Sequence, residues 1–206
     1  MTFIDDFTRK TWIYLLKENF EAFNKFKEFK VLVERQSGCN IKILRFDRGW
    51  EFTSNEFYNY CKSQGIQCQL TASYIPKKNG IVERKNKTII EMAKNMLKAK
   101  SLPKKFWAEA VTCALFLLNR CPTKVVFWRT PEKVWSGHKP KVYFLRIFGC
   151  IAYSHIPKEH IKKFDDKSEK CIFIDYCDVT KCYKLYNPKT WKLIVSRNVQ
   201  FLENEC

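Results

Sequence analysis

Glycine is scarce, with six among 206 residues, about 3% where a typical chain has ~7%. Few positions can therefore adopt a left-handed backbone without a side-chain penalty. Acidic residues are also few: 21 Asp and Glu face 38 Lys and Arg, a formal charge of +17. Solubility needs nothing like that excess, so it points to a polyanionic partner. Long apolar runs are missing as well. Stretches such as 111–118 fall far short of the roughly 20 residues a membrane span requires. No apolar leader follows Met1, which argues against secretion. There are ten cysteines but no C-x-x-C pair. The pairs Cys61/Cys68 and Cys177/Cys182, and the set His155, His160 and Cys171, match no zinc spacing. A disulfide framework belongs to secreted chains under about 100 residues. The expectation is an intracellular chain, nuclear or cytoplasmic, with reduced thiols, no zinc and no membrane partner.

What is present suffices for a core: 46% of residues are hydrophobic and 16% aromatic. Phe3–Phe7 and Thr11–Leu16 are short, aromatic and β-branched, and read as a hairpin. Apolar Phe20, Phe23, Phe26, Val31 and Val33 among Lys and Glu predict an amphipathic helix from Glu18 to about Arg35, ended by Ser37-Gly38. Ile41–Phe46 reads as a buried strand. Ser54–Gly65 reads as a helix capped by Ser54, with Phe57 at N3 and hence no capping box. Ile66–Leu70 reads as another strand. Thr71–Gly80 is expected to be a loop holding Pro76 and the turn pair Asn79-Gly80. Helices follow over Ile81–Lys100 and from Pro103 to about Arg120, where Cys121-Pro122 stops the second. Alternating strands and helices indicate an α/β layer. After Lys139-Pro140 the runs Arg146–Ser154, Cys171–Tyr176, Tyr183–Tyr186 and Leu193–Val199 indicate a small all-β unit. The expected division is 1–124, a linker at 125–145, and 146–206.

Two carboxylates stand out. Asp47 follows the strand Ile41–Phe46, at the end where α/β sheets place ligands; a turn aspartate is the plain alternative. Glu83 falls near the start of the long helix, where the helix dipole alone would favour it. On a helical wheel Val82, Ile89, Ile90, Ala93, Met96 and Leu97 form the core stripe. Glu83 borders it, beside Lys87, Lys94 and Lys98. That arrangement suits a metal ligand next to a phosphate backbone, or equally a solvated lysine face. Residues 75–105 carry ten basic side chains, among them Lys77, Lys78, Arg84, Lys87, Lys94 and Lys98, against Glu83 and Glu91, a net of +8. Such a patch binds phosphates with strong salt dependence and little sequence preference.

The motifs Phe3-Ile4-Asp5-Asp6-Phe7-Thr8-Arg9-Lys10-Thr11-Trp12, Asp47-Arg48-Gly49, Glu51-Phe52, Asn79-Gly80-Ile81-Val82-Glu83-Arg84-Lys85-Asn86, Phe106-Trp107-Ala108-Glu109-Ala110 and Asn119-Arg120-Cys121-Pro122-Thr123 resemble the integrase region of plant copia-type retrotransposon polyproteins. Arg146-Ile147-Phe148-Gly149-Cys150 and Lys170-Cys171-Ile172-Phe173-Ile174 resemble the Src-homology-3-type β-barrel that follows it there. The 35 residues between Asp47 and Glu83 match the spacing of D,D-35-E integrases. The resemblance implies an RNase H-like mixed α/β sheet with flanking helices, followed by a small barrel. It also implies two Mg²⁺ ions (or Mn²⁺) held by three carboxylates, which trim retroelement ends and join them to target DNA by in-line displacement at phosphorus. Asp47 matches the second carboxylate and Glu83 the third, both as catalytic and metal-binding residues. Lys87 matches a DNA-contacting position, and the family works as a homo-multimer.

Some features depart from the pattern. The family's first carboxylate lies on a strand before the hairpin, so the sequence is expected to be an N-terminally truncated core, lacking that central strand and binding the metal weakly. Asp5 and Asp6 are the nearest substitutes, although a turn or strand-end role suits them better. Trp50 stands where the family has a small glycine, as do Asp175 and Cys182. Ser73, Ile75, Lys77 and Lys78 alter the loop before Glu83. The expected activity is therefore weakened or absent strand transfer. The alternatives are a non-catalytic nucleic-acid-binding protein and a nuclease of the same superfamily.

Overall fold

The computed structural model describes residues 1–18, 20–46, 54–70, 76–156, 166–177 and 182–203, and for 76–79 the backbone alone. The chain forms two units. One comprises Met1–Lys87 with Pro122–His138, the other Thr88–Cys121 with Lys139–Cys206.

In the first unit, β1 (Thr2–Ile4) and β2 (Thr11–Ile13) pair antiparallel with Phe3 opposite Trp12. Their turn is closed by Asp5, whose Oδ2 accepts the Thr8 amide and hydroxyl, both at 2.7 Å. Helix α1 (Glu21–Ser37) buries Ala22, Phe26, Phe29 and Val33, which share one helical face. Phe20 and Val31, expected on that face, are exposed. The helix starts after Phe20, and Val31 points away from the 22–26–29–33 stripe. Gly38 ends the helix at φ 68°, its N–H donating to the Glu34 carbonyl, a left-handed cap that glycine supplies at no steric cost.

Helix α2 (Asn55–Ser63) begins as expected, with Ser54 Oγ accepting the Phe57 amide at 3.1 Å. Strand β3 (Ile43–Phe46) pairs in parallel with β4 (Gln67–Leu70). Phe3, Phe26, Phe29, Phe46 and Phe57 gather in one core with Val33, Cys61 and Ile66. Phe3 stacks on Phe29 at 4.0 Å, and Phe57 meets Phe26 at 5.4 Å and Phe46 at 5.6 Å. Each such ring contributes roughly 1.5–3 kcal/mol by burial.

The strand Ile41–Phe46 is not buried as expected: Ile43 is exposed, Leu44 half-buried, and only Phe46 of β3 fully buried. Among the described residues β1 pairs only with β2, and β3 only with β4. Side chains alternate between the two faces of a strand, and the core packs on the face of Leu44 and Phe46, which leaves Ile43 and Arg45 on the other. The turn after β1 still reaches β3, because Asp6 forms ion pairs with Arg9 and Arg45.

Stretch 125–145, read as linker, contains α5 (Pro131–Ser136), capped by Thr130 and ended by Gly137. Within the first unit Trp135 packs edge-on against Trp12 at 4.9 Å, and Lys10 pairs with Glu132.

Helix α3 (Pro76–Ala99) corrects the loop expected over Thr71–Gly80, of which 71–75 lie outside the described residues. Proline is tolerated in the first helical turn because its missing N–H would have no partner there. Asn79 and Gly80 are therefore helical, and Arg84 Nε donates to the Gly80 carbonyl at 2.7 Å. The division between units falls within α3, after Lys87.

In the second unit, a short 3-10 turn (Lys104–Phe106) leads into α4 (Trp107–Arg120). Strands β5 (Ile151–His155), β6 (Ser168–Cys177), β7 (Cys182–Asn187), β8 (Lys192–Ser196) and β9 (Val199–Leu202) form an antiparallel sheet in the order β8-β7-β6-β5-β9. The single run expected over Leu193–Val199 is two strands on opposite sides of the sheet. Helix α4 lies on β6, with Phe116 stacked on Tyr176 at 4.4 Å. From α3, Ile89, Ala93 and Leu97 are buried as expected, while Ile90 is exposed. Val82, in the first unit, is exposed too.

Four of the five described glycines have positive φ: Gly38, Gly65, Gly137 and Gly149. The same conformation falls on Arg9, Ser101, Phe127, Trp128 and Trp191, which is costly for bulky side chains.

Candidate nucleic-acid interface and metal centre

Glu83 lies in the third turn of α3, not the first, because the helix begins at Pro76. Its position therefore owes nothing to the dipole at the helix start, an effect that fades within the first turn. Its side chain is exposed. Three residues on, Asn86 Oδ1 accepts a 2.8 Å hydrogen bond from the Thr2 hydroxyl. That contact fixes the turn carrying Glu83, Arg84 and Lys87 against β1. Arg84 and Lys87 are exposed on the same stretch. In the second unit Lys94 and Lys98 are exposed as well.

Asp47 and Trp50 lie outside the described residues, as do Ser73 and Ile75, and the side chains of Lys77 and Lys78 do too. The structure does place the two substitutes. Asp5 is engaged by the Thr8 amide and hydroxyl. Asp6 is held between Arg9 and Arg45, and Arg45 also donates to Gln69 Oε1 at 2.9 Å. Asp5 thus closes the turn, and Asp6 joins it to Arg9 and to Arg45 of β3. Among the described residues no group of three His, Cys, Asp or Glu side chains is placed to hold a metal ion. The described carboxylates alone therefore do not build a metal centre; Glu83 is the one candidate they supply.

The basic patch is narrower than its sequence. Lys105, counted in it, donates to Tyr186 Oη at 2.8 Å. Its ammonium lies 4.4 Å from the Tyr186 ring, 4.5 Å from Trp191 and 5.0 Å from Phe106. This cation–π cage pins the start of α4 to the sheet. The sequence held no signal for it, since Lys105 and Tyr186 are 81 positions apart. The alternation of β3 could have marked Arg45 as outward-facing, but nothing local pairs it with Asp6.

No helix among the described residues is long and apolar enough to cross a membrane.

Residues 1–76 match the family described as Integrase core domain, and residues 150–206 that described as Retroviral polymerase SH3-like domain. The chain is 46% identical over 205 residues to the Retrovirus-related Pol polyprotein from transposon TNT 1-94 of Nicotiana tabacum, covering 100% of this chain and 15% of that one. It is 34% identical over 202 residues to the Retrovirus-related Pol polyprotein from transposon RE1 of Arabidopsis thaliana, covering 98% and 14%. The chain thus spans about one-seventh of the length of these relatives. Its fold is similar to a chain of the simian T-cell lymphotropic virus intasome in complex with PP2A regulatory subunit B56 gamma. The TM-score is 0.53 at 16% identity, over 100% of this chain and 72% of that chain.

Proposed function

The chain belongs to the integrase region of copia-type retroelement Pol polyproteins, and from that premise we propose that it binds retroelement and target DNA as part of a homo-multimer, with strand-transfer activity weakened or absent. The observation that carries this reading is the turn of α3 with Glu83, Arg84 and Lys87 exposed together and fixed by the Thr2–Asn86 bond. In the first unit Lys87 and Arg84 take phosphates, with Lys77 and Lys78 at the helix start; Lys94 and Lys98 are the proposed phosphate contacts of the second unit, taken by itself. Asp47 and Glu83 are the proposed catalytic and metal-binding pair. Mg²⁺ or Mn²⁺, when bound, would activate the attacking oxygen and stabilise the leaving one. With Asp5 and Asp6 committed elsewhere, two carboxylates would hold it weakly. The nucleus or cytoplasm is the proposed site of action, and residues 1–124 and 146–206 the proposed core and barrel regions.

A second reading has support from the same engagement of Asp5 and Asp6: a non-catalytic nucleic-acid-binding protein derived from an integrase. One experiment separates the two. Duplex binding and oligonucleotide strand transfer are measured in Mn²⁺ for the wild type, Asp47→Asn and Glu83→Gln. Binding by all three, with no joined product from any, supports the non-catalytic reading. Joined product from the wild type that both variants lose supports the residual enzyme. Failure of the wild type to bind duplex DNA overturns both.

A further inference from the structure

The turn at residues 123–129 carries a feature that the proposed DNA contacts do not use. Thr123 and Arg129 close it as an isolated antiparallel bridge, and the Trp128 amide donates back to the Thr123 carbonyl at 3.0 Å. At its tip Phe127 and Trp128 both have left-handed backbones, φ 52° and 60°. Among the described residues glycine fills four of the seven other such positions. Two adjacent aromatic residues there are strained. Nor are they compensated by burial: Phe127 is 84% exposed and Trp128 66%.

The surroundings say what would cover them. A groove of about 270 Å³ beside Phe127 is lined by Phe7, Val125, Arg9 and Arg129. Phe7 is itself 80% exposed. Lys124 Nζ lies 5.4 Å from the Trp128 ring centre. The acid in the lining, Asp6, is ion-paired with Arg9 and Arg45. Exposed π faces with cations around them, on a chain of charge +17, are complementary to a polyanion that also presents flat apolar faces. Duplex DNA hides its base faces in the stack; an unpaired strand does not.

We infer that Phe127 and Trp128 form a stacking platform for unpaired bases of a single-stranded or frayed nucleic acid, with Lys124 and Arg129 taking the flanking phosphates. Stacking on aromatic side chains tolerates any base, because every base has a π face. The site is distinct from the Glu83 turn and adds a strand-end or overhang preference to a surface that otherwise reads only phosphates.

The test uses the full chain and fluorescence anisotropy with a blunt duplex, the same duplex bearing a short oligothymidine overhang, and one bearing an oligouridine overhang. The wild type should prefer either overhang roughly five- to tenfold over the blunt end. Equal gains with both overhangs mark the base face as the determinant; a gain with one alone assigns the strand as DNA or RNA. Phe127→Gly with Trp128→Gly removes both rings while relieving the left-handed backbone, so the variant should fold at least as well. It should lose the overhang preference and keep its blunt-duplex affinity, while Phe127→Tyr with Trp128→Tyr keeps both. An overhang preference that survives the double glycine variant overturns the proposal. So does a wild type that binds the overhang no better than the blunt end. A double glycine variant changed only in self-association, by sedimentation, also overturns it and assigns the rings to a contact between copies. Blunt-duplex affinity reads the proposed DNA binding separately.

Discussion

Thr112 donates a 2.6 Å hydrogen bond to Asp175 Oδ2, joining the middle of α4 to the irregularity in β6 between Phe173 and Asp175. Asp175 Oδ1 accepts its neighbour's amide, that of Tyr176, at 2.9 Å. The aspartate that replaces the expected glycine has thus acquired partners on both sides. Below it lies Cys113, whose thiol is pushed above its ordinary range by burial first and by the Asp175 charge second.

Thr112→Val keeps the shape and removes the donor to a partly buried carboxylate. The expected loss is roughly 1.5–3 kcal/mol, the usual range for a hydrogen bond to a charged group. Asp175→Asn keeps an acceptor and should cost less. Urea unfolding of the three proteins checks the order, and a Thr112→Val curve superimposable on the wild type would show that the bond contributes nothing.

Alkali should destabilise the second unit. Cys150 and Cys171 are fully buried, and burial raises both thiols to about 11. Between pH ~8.5, where unfolded thiols ionise, and pH 11, the unfolded state releases protons that the folded state retains. Stability therefore falls with rising pH across that window, by an amount on the order of a few kcal/mol in all. Melting temperatures from pH 7 to 11 should decline with a slope that Cys150→Ala and Cys171→Ala reduce. In the same samples the exposed Cys39 and Cys121 should alkylate first.

The proposed phosphate contacts have their own signature. Lys87→Ala, Lys94→Ala and Lys98→Ala should each weaken duplex binding at all sequences alike and lower the slope of log K against log salt by about 1. Lys105→Ala should leave the slope unchanged, because its ammonium is held by Phe106, Tyr186 and Trp191. A salt titration of the four variants decides this, and a slope change for Lys105→Ala equal to that for Lys87→Ala would refute the assignment.

The parts legible in the sequence are those fixed by neighbours along the chain. Ser54 caps α2 and Gly38 stops α1 because caps depend on a few adjacent residues. The buried Ile89–Ala93–Leu97 stripe follows from helical period alone. Long-range partners were not legible. Ile43 is exposed because the core covers only the Leu44 and Phe46 face of β3, which the strand's own composition does not reveal. Glu83 moved from the first helical turn to the third because Asn79-Gly80, a strong turn pair, sits inside a helix. Glycine there costs only about 1 kcal/mol against alanine, and the rest of the helix outweighs it. The candidate site is legible to the same extent: Glu83, Arg84 and Lys87 share one exposed turn. Asp47 lies outside the described residues, and the engagement of Asp6 by Arg45 needed the fold.

Gly149 offers the sharpest stability prediction in the second unit. Its φ is +78°, and a Cβ built there would lie 2.8 Å from Lys100 Cβ and Cγ and 3.0 Å from Leu102 Cδ1. Its amide donates to the Phe173 carbonyl at 2.8 Å, and Phe173 donates back to Cys150 at 3.0 Å. The residue therefore cannot retreat without breaking its contact with β6. Gly149→Ala combines a left-handed penalty of roughly 1 kcal/mol or more with a clash against Lys100 Cβ, which is fixed to the backbone. A loss of about 2–4 kcal/mol is expected. Gly38 has the same sign of φ but nothing within 4 Å of its built Cβ, so Gly38→Ala should lose only the conformational part. Chemical denaturation of both variants measures the difference directly. Equal losses would mean that the Lys100 side of the contact yields freely, and that the cost at Gly149 is backbone strain alone.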